Sequence, residues 1–230
     1  MVIRNRLASL IYRALEAAIA IYALVAVFTS PLKDTRPFNY FSTEADIYVL
    51  VIVFLAFVFN LIDLIRHGQN GLAAYVYMPL TNAGVTYLLV DALGYWILYP
   101  TIHGVPWADG MGMAAIVSHL VLPVVVFLGW LLFDEKGTVK YHHALYFLAF
   151  PLFYIIYSEV AHILFQDNFF PYSLMRPSFY SESPSFLSGN GGWNGVVVTM
   201  VLILLAFYLV GLSLIFFSNL LAGKYKRIRG

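Results

Sequence analysis

The sequence predicts an all-α polytopic membrane protein, a six-transmembrane-helix bundle with both termini cytoplasmic, forming a single domain over residues 1–230. Three observations predict it. Six apolar stretches are each long enough to cross a hydrocarbon core of roughly 30 Å, which takes about 20 helical residues. The composition is 61% hydrophobic and 11% charged, more apolar surface than a water-soluble domain of this length buries. Lys and Arg are divided unevenly between the connecting segments.

Span one is expected over about Ala8–Thr29, ended by Ser30-Pro31. Arg4 and Arg6 precede an apolar run too long for a signal-peptide core, so this span reads as uncleaved. Span two covers about Ala45–Ile65 and stops at Arg66-His67-Gly68. Span three covers Leu72–Tyr99, broken early by Pro79 and closed by Pro100. Span four covers Met111–Phe133 with Pro123 inside it, and span five covers Tyr141–Phe165 with Pro151 inside it. Interior prolines predict kinks, which a bundle tolerates when neighbours satisfy the freed carbonyls. Span six covers Gly195–Ala222. Residues 166–193, with Ser181 to Ser185 and Gly189-Asn190-Gly191-Gly192, read as irregular loop.

Ten basic residues (Arg4, Arg6, Arg13, Arg66, Lys136, Lys140, Lys224, Lys226, Arg227, Arg229) fall on one side and three (Lys33, Arg36, Arg176) on the other. The positive-inside rule then puts both termini in the cytoplasm. The basic tail is expected to sit at anionic head groups. A net charge of +1 carries no signal for nucleic acid. The chain has no cysteine, which excludes disulfides, thiolate catalysis and thiolate metal sites. The histidines at 67, 103, 119, 142, 143 and 162 show no HExxH spacing and no paired layers for haem, so no metal and no cofactor is expected.

Ionisable residues inside spans are costly and need a reason. With the predicted orientation, Thr43, Asp46, Asp91, His119, Glu159 and His162 all fall in the outer half, with His119 roughly 12 Å deep. Each also has a purely structural reading. Asp46 suits a helix-start charge favoured by the dipole. Glu159 and His162 are i and i+3 and suit a mutual pair, as do Arg13 and Glu16 on span one. Asp91 suits a partner on a neighbouring helix, and His119 a satisfied packing role. Asn60 and Asp63, near the inner end of span two, are expected to face head groups. The convergence of carboxylates, imidazoles and hydroxyls from several helices nevertheless predicts a polar pocket.

The motifs Phe41-Ser42-Thr43-Glu44-Ala45-Asp46-Ile47, Ser118-His119-Leu120-Val121-Leu122-Pro123 with Trp130 and Phe133-Asp134-Glu135-Lys136-Gly137, Phe150-Pro151-Leu152-Phe153-Tyr154-Ile155-Ile156-Tyr157, and Phe170-Pro171-Tyr172 run in this order over nearly the whole chain. Their order and spacing resemble the androgen-induced-gene family of multi-span membrane proteins, which includes the androgen-dependent TFPI-regulating protein, and its bacterial branch most. Animal members of that family are threonine hydrolases of fatty acid esters of hydroxy fatty acids. The resemblance implies Thr43 as nucleophile and His119 as base. Ser42 offers a second hydroxyl beside Thr43. The His119-to-Pro123 offset is one residue shorter than in the animal pattern. A threonine hydroxyl needs a base within about 3 Å, and an acid (Asp46, Asp91 or Glu159) to orient that base. The expected partners are the lipid bilayer and a lipid-like ester, and the expected location is a bacterial cytoplasmic membrane.

Two other classes fit the same residues. A small-molecule or proton-coupled transporter uses intramembrane Asp, Glu and His in a relay, although the chain shows no inverted repeat. A scaffold without activity needs only paired polar groups.

Overall fold

The computed structural model describes residues 2–29, 37–98, 112–165, 170, 172–182 and 192–229. Among them the regular structure is helical throughout, apart from a lone bridge between Asn5 and Asn70. Helix α1 is Arg6–Thr29 and α2 is Phe41–His67. Helix α3 is Met78–Leu93 and runs into a π turn, Gly94–Leu98. Helix α4 is Met113–Phe133, interrupted by a second π turn at Val117–Val121. Helix α5 starts as His143–Tyr146, loosens at Phe147–Leu148 and continues as Ala149–Phe165. Helix α6 is Pro177–Glu182 and α7 is Gly192–Arg229.

Among the described residues, five helices (α1, α2, α4, α5 and α7) are long and apolar enough to cross a membrane. Their burial pattern is that of a bundle turned toward lipid. Ile11, Phe153, Val197 and Phe216 are more than half exposed, whereas Arg13, Glu16, Asp46, Asn60, Asn82 and Asp134 are buried. Water would reverse that preference; a hydrocarbon solvent does not.

The expected span over 72–99 differs. Its helix begins only at Met78, because Pro79 occupies the first turn, where a missing N–H costs nothing. Pro79 therefore starts the helix instead of kinking it. The preceding segment is held by Asn60, whose Oδ1 accepts the Ala74 N–H at 3.4 Å while its Nδ2 donates to the Arg6 carbonyl at 3.1 Å. Asn60 is fully buried, against the expectation that it faces head groups. At 16 residues α3 is roughly 24 Å long, short for a span unless the π turn to Leu98 is added.

The other two prolines each follow a local departure from α geometry. Pro151 follows the loosened turn at Phe147–Leu148, and residue 147 is the one whose carbonyl a proline at 151 leaves without a helical donor. Pro123 follows the π turn of α4. Residues 166–193 are less irregular than expected, since they contain a 3₁₀ turn at Ser173–Met175 and the helix α6, opened by Pro177. Ser30, Pro31, Lys33, Arg36, Pro100, His103 and residues 183–191 lie outside the described residues.

Helices α1 to α4 pack against one another, and α7 packs against α3. Phe41 sits at the junction with α5 and α7. Its ring lies 5.3–6.2 Å from those of Tyr87, Phe150, Tyr154 and Phe207. Three helices, α3, α5 and α7, are thereby tied to the first turn of α2, the turn that carries Ser42 and Thr43. Edge-on and tilted aromatic pairs of this kind contribute beyond their buried area.

Candidate active site

The site is built where the two π turns meet. Asp91 is in the last turn of α3, and Tyr95 and Trp96 follow in its π turn. All three act on His119 in the π turn of α4. The His119 Nδ1 lies 2.7 Å from Asp91 Oδ2, with the two side chains 12% and 10% exposed. The Tyr95 ring stacks on the imidazole at 4.1 Å and 12°. The Trp96 indole N–H donates to the His119 carbonyl at 2.8 Å. In α register that carbonyl would pair with the N–H of residue 123, which is a proline. Single π turns are rare and are found disproportionately at functional sites. Here one of them carries the His119 ring, and the other carries the Tyr95 and Trp96 side chains that stack on that ring and bond the His119 carbonyl.

The second contact joins α2 to α4. Ser118 donates its hydroxyl to Asp46 Oδ2 at 2.6 Å, and both residues are buried. Asp46 is therefore in the bundle interior instead of at a helix start facing water. The reason is that α2 begins at Phe41, four residues earlier than expected, so Ser42, Thr43 and Glu44 form its first turn. Asp46 Oδ1 has no hydrogen-bond partner. Thr43, one turn before Asp46, is 2% exposed and is not hydrogen-bonded to His119.

Above the start of α2, the Tyr172 phenol meets the Ser42 hydroxyl and the backbone of Phe41 and Ser42, and burial pushes its titration upward. Tyr154 donates to the Asn39 carbonyl at 2.7 Å. Tyr40 packs edge-on against Tyr172 at 5.7 Å. The segment after α5 is thus fastened over the turn that carries the hydroxyls.

The predicted site residues divide as follows. Asp91 and His119 are brought together directly. Asp46 reaches the same turn through Ser118. Ser42 and Thr43 lie one turn from Asp46 on α2. Glu159 interacts electrostatically with His162, as expected, but both its carboxylate oxygens lack hydrogen-bond partners, so it makes no hydrogen bond to His162 or to the Asp91–His119 pair. The His162 ring packs on Phe170 at 4.1 Å. Ser118, Tyr95, Trp96 and Tyr172 were not foreseen as site residues. Tyr95 had a signal, because it is four residues after Asp91 and so shares its helix face. Trp96 had none beyond the need of the His119 carbonyl for a donor.

A neutral imidazole held by a carboxylate at Nδ1 leaves Nε2 as its second nitrogen, able to accept a proton. The arrangement can therefore act as a base beside buried hydroxyls. Among the described residues, no group of three His, Asp or Glu is disposed to hold a metal ion. No family model, curated protein or solved structure matches the chain.

Proposed function

We propose that this protein is a membrane hydrolase of lipid esters, with Thr43 as nucleophile and His119 as general base. The observation that carries the reading is the 2.7 Å contact between Asp91 and His119, in a largely buried setting beside the hydroxyl-bearing turn of α2. Asp91 would fix the tautomer, so that His119 Nε2 takes the Thr43 proton as the hydroxyl oxygen adds to the ester carbonyl. The same proton would go to the departing alkoxide, and water would then cleave the acyl-threonine. Oxyanion donors are at hand in the first N–H groups of α2 and in the Tyr172 phenol. The resemblance to the androgen-induced-gene family, strongest for its bacterial branch, supports the same pair. On this reading α3 and its π turn form a sixth span, both termini are cytoplasmic, and the site opens to the outer half of a bacterial cytoplasmic membrane.

The test is ester turnover in proteoliposomes, with a long-chain fatty acid ester of a hydroxy fatty acid as probe. Thr43→Ala and His119→Ala are each expected to abolish turnover while the bundle stays folded. Turnover that persists in both variants removes the pair, and loss in Ser42→Ala alone moves the nucleophile by one residue.

A second reading, a proton-coupled transporter, is favoured by one observation. Val49, three residues after Asp46 on α2, lines the same cavity as Arg13 and Asp134, so ionisable groups extend further through the bundle than the sequence suggested. Proton-linked flux in liposomes without ester turnover would decide for it.

A further inference from the structure

The bundle holds a second polar site, separate from the candidate active site. Arg13 of α1 is 3% exposed and donates to both oxygens of Glu16, at 3.1 and 2.8 Å. Its other terminal nitrogen pairs with Asp134, immediately after α4. Lys136 closes the group by donating to the Asp134 carbonyl at 2.7 Å, with its ammonium over the Trp130 ring. Two cations and two carboxylates cancel. The hydrogen bonds do not close in the same way. Arg13 Nε and Asp134 Oδ2, both buried, have no hydrogen-bond partner.

Arg13 and Asp134 line one cavity, of about 20 Å³, among α1 to α4, also bordered by Thr81, Val126 and the exposed Tyr75. A void needs about 10–15 Å³ to admit a water, together with two or more polar partners. This one has the volume for a single molecule. It also has a charged donor and a charged acceptor on its wall. A dry cavity here would leave an ionised donor and acceptor unsatisfied, which is costly. A bound ion would disturb a group whose charges already balance.

We infer that this cavity is a built site for one ordered water, which accepts from Arg13 Nε and donates to Asp134 Oδ2 and so completes the buried four-charge group.

Two measurements test it. An experimental structure at about 2 Å or better is expected to show a density peak within hydrogen-bond distance of both Arg13 Nε and Asp134 Oδ2. An empty cavity at that resolution overturns the inference. The second is the sign of a stability change. Val126→Ile adds one methylene to the cavity wall. Filling a dry apolar void raises Tm, whereas expelling a bridging water leaves two charged groups unpaired and lowers it. A fall of roughly 2–6 °C in detergent is expected; a rise or no change overturns the water. If Val126→Ile does not fold, the density in the unsubstituted protein decides alone.

Discussion

Trp96 donates its indole N–H to the backbone carbonyl of His119, the carbonyl for which Pro123 supplies no helical donor. A proline inside α4 and a tryptophan at the end of α3 are thus two halves of one device. Removing the N–H with Trp96→Phe leaves the carbonyl unpaired and is expected to destabilise the protein by ~1 kcal/mol. Pro123→Ala restores a backbone N–H four residues on, so Trp96→Phe should cost less in that background. Thermal unfolding of the two single variants and the double variant measures the coupling. Additive losses would show that the two residues act independently.

Asp91 and Asp46 are both carboxylates near His119, but only Asp91 contacts the ring. Asp91→Asn keeps the shape and removes the charge that favours the productive tautomer. Under the hydrolase reading, turnover should fall on the order of 10²–10⁴-fold. Asp46→Asn still accepts from Ser118 and should cost far less. Equal losses in the two variants, measured as ester turnover at matched folded protein, would deny Asp91 its special place.

The sequence made the helices legible because apolar length is a direct reading of bilayer thickness. It located Asp91, His119 and the Arg13–Glu16 pair for a related reason: a charge in an apolar span stands out wherever it sits. Residues that serve the site without being charged were invisible. Ser118 is an ordinary small residue until Asp46 is placed opposite it. Asp134 read as the end of a span, although it bonds across 121 residues to Arg13. The start of α2 was misplaced because Phe41 to Glu44 look like a loop by composition. Their helical state comes from tertiary aromatic packing around Phe41, which no local pattern encodes.

Gly129 marks where α4 passes closest to the buried carboxylate of α1. A Cβ built there would lie 1.9 Å from Glu16 Oε1 and 2.9 Å from the Tyr12 ring. Gly129→Ala must therefore displace Glu16, which is held by Arg13, and is expected to destabilise by roughly 1–3 kcal/mol. Shortening the carboxylate in the double variant Gly129→Ala with Glu16→Asp should recover part of the loss. Thermal unfolding in detergent checks both, and no loss in Gly129→Ala would mean the helices separate freely at this crossing.

Lys136 gives the pH dependence. Its ammonium is pushed down to about 8 from its ordinary 10.5, chiefly by burial and against the pull of Asp134. A lysine with a depressed value binds fewer protons folded than unfolded between those two limits. Stability should therefore rise with pH across the window from about 8 to 10.5, where the unfolded chain still holds the proton. Below about 8 the charged form is kept in both states, and its burial is a standing cost. Lys136→Met removes the titration, so the rise in Tm between pH 7.5 and pH 9.5, on the order of a few degrees, should flatten in the variant. An identical slope in both proteins would assign the dependence to other groups and show that the ammonium is better solvated than its contacts with Trp130 and Asp134 imply.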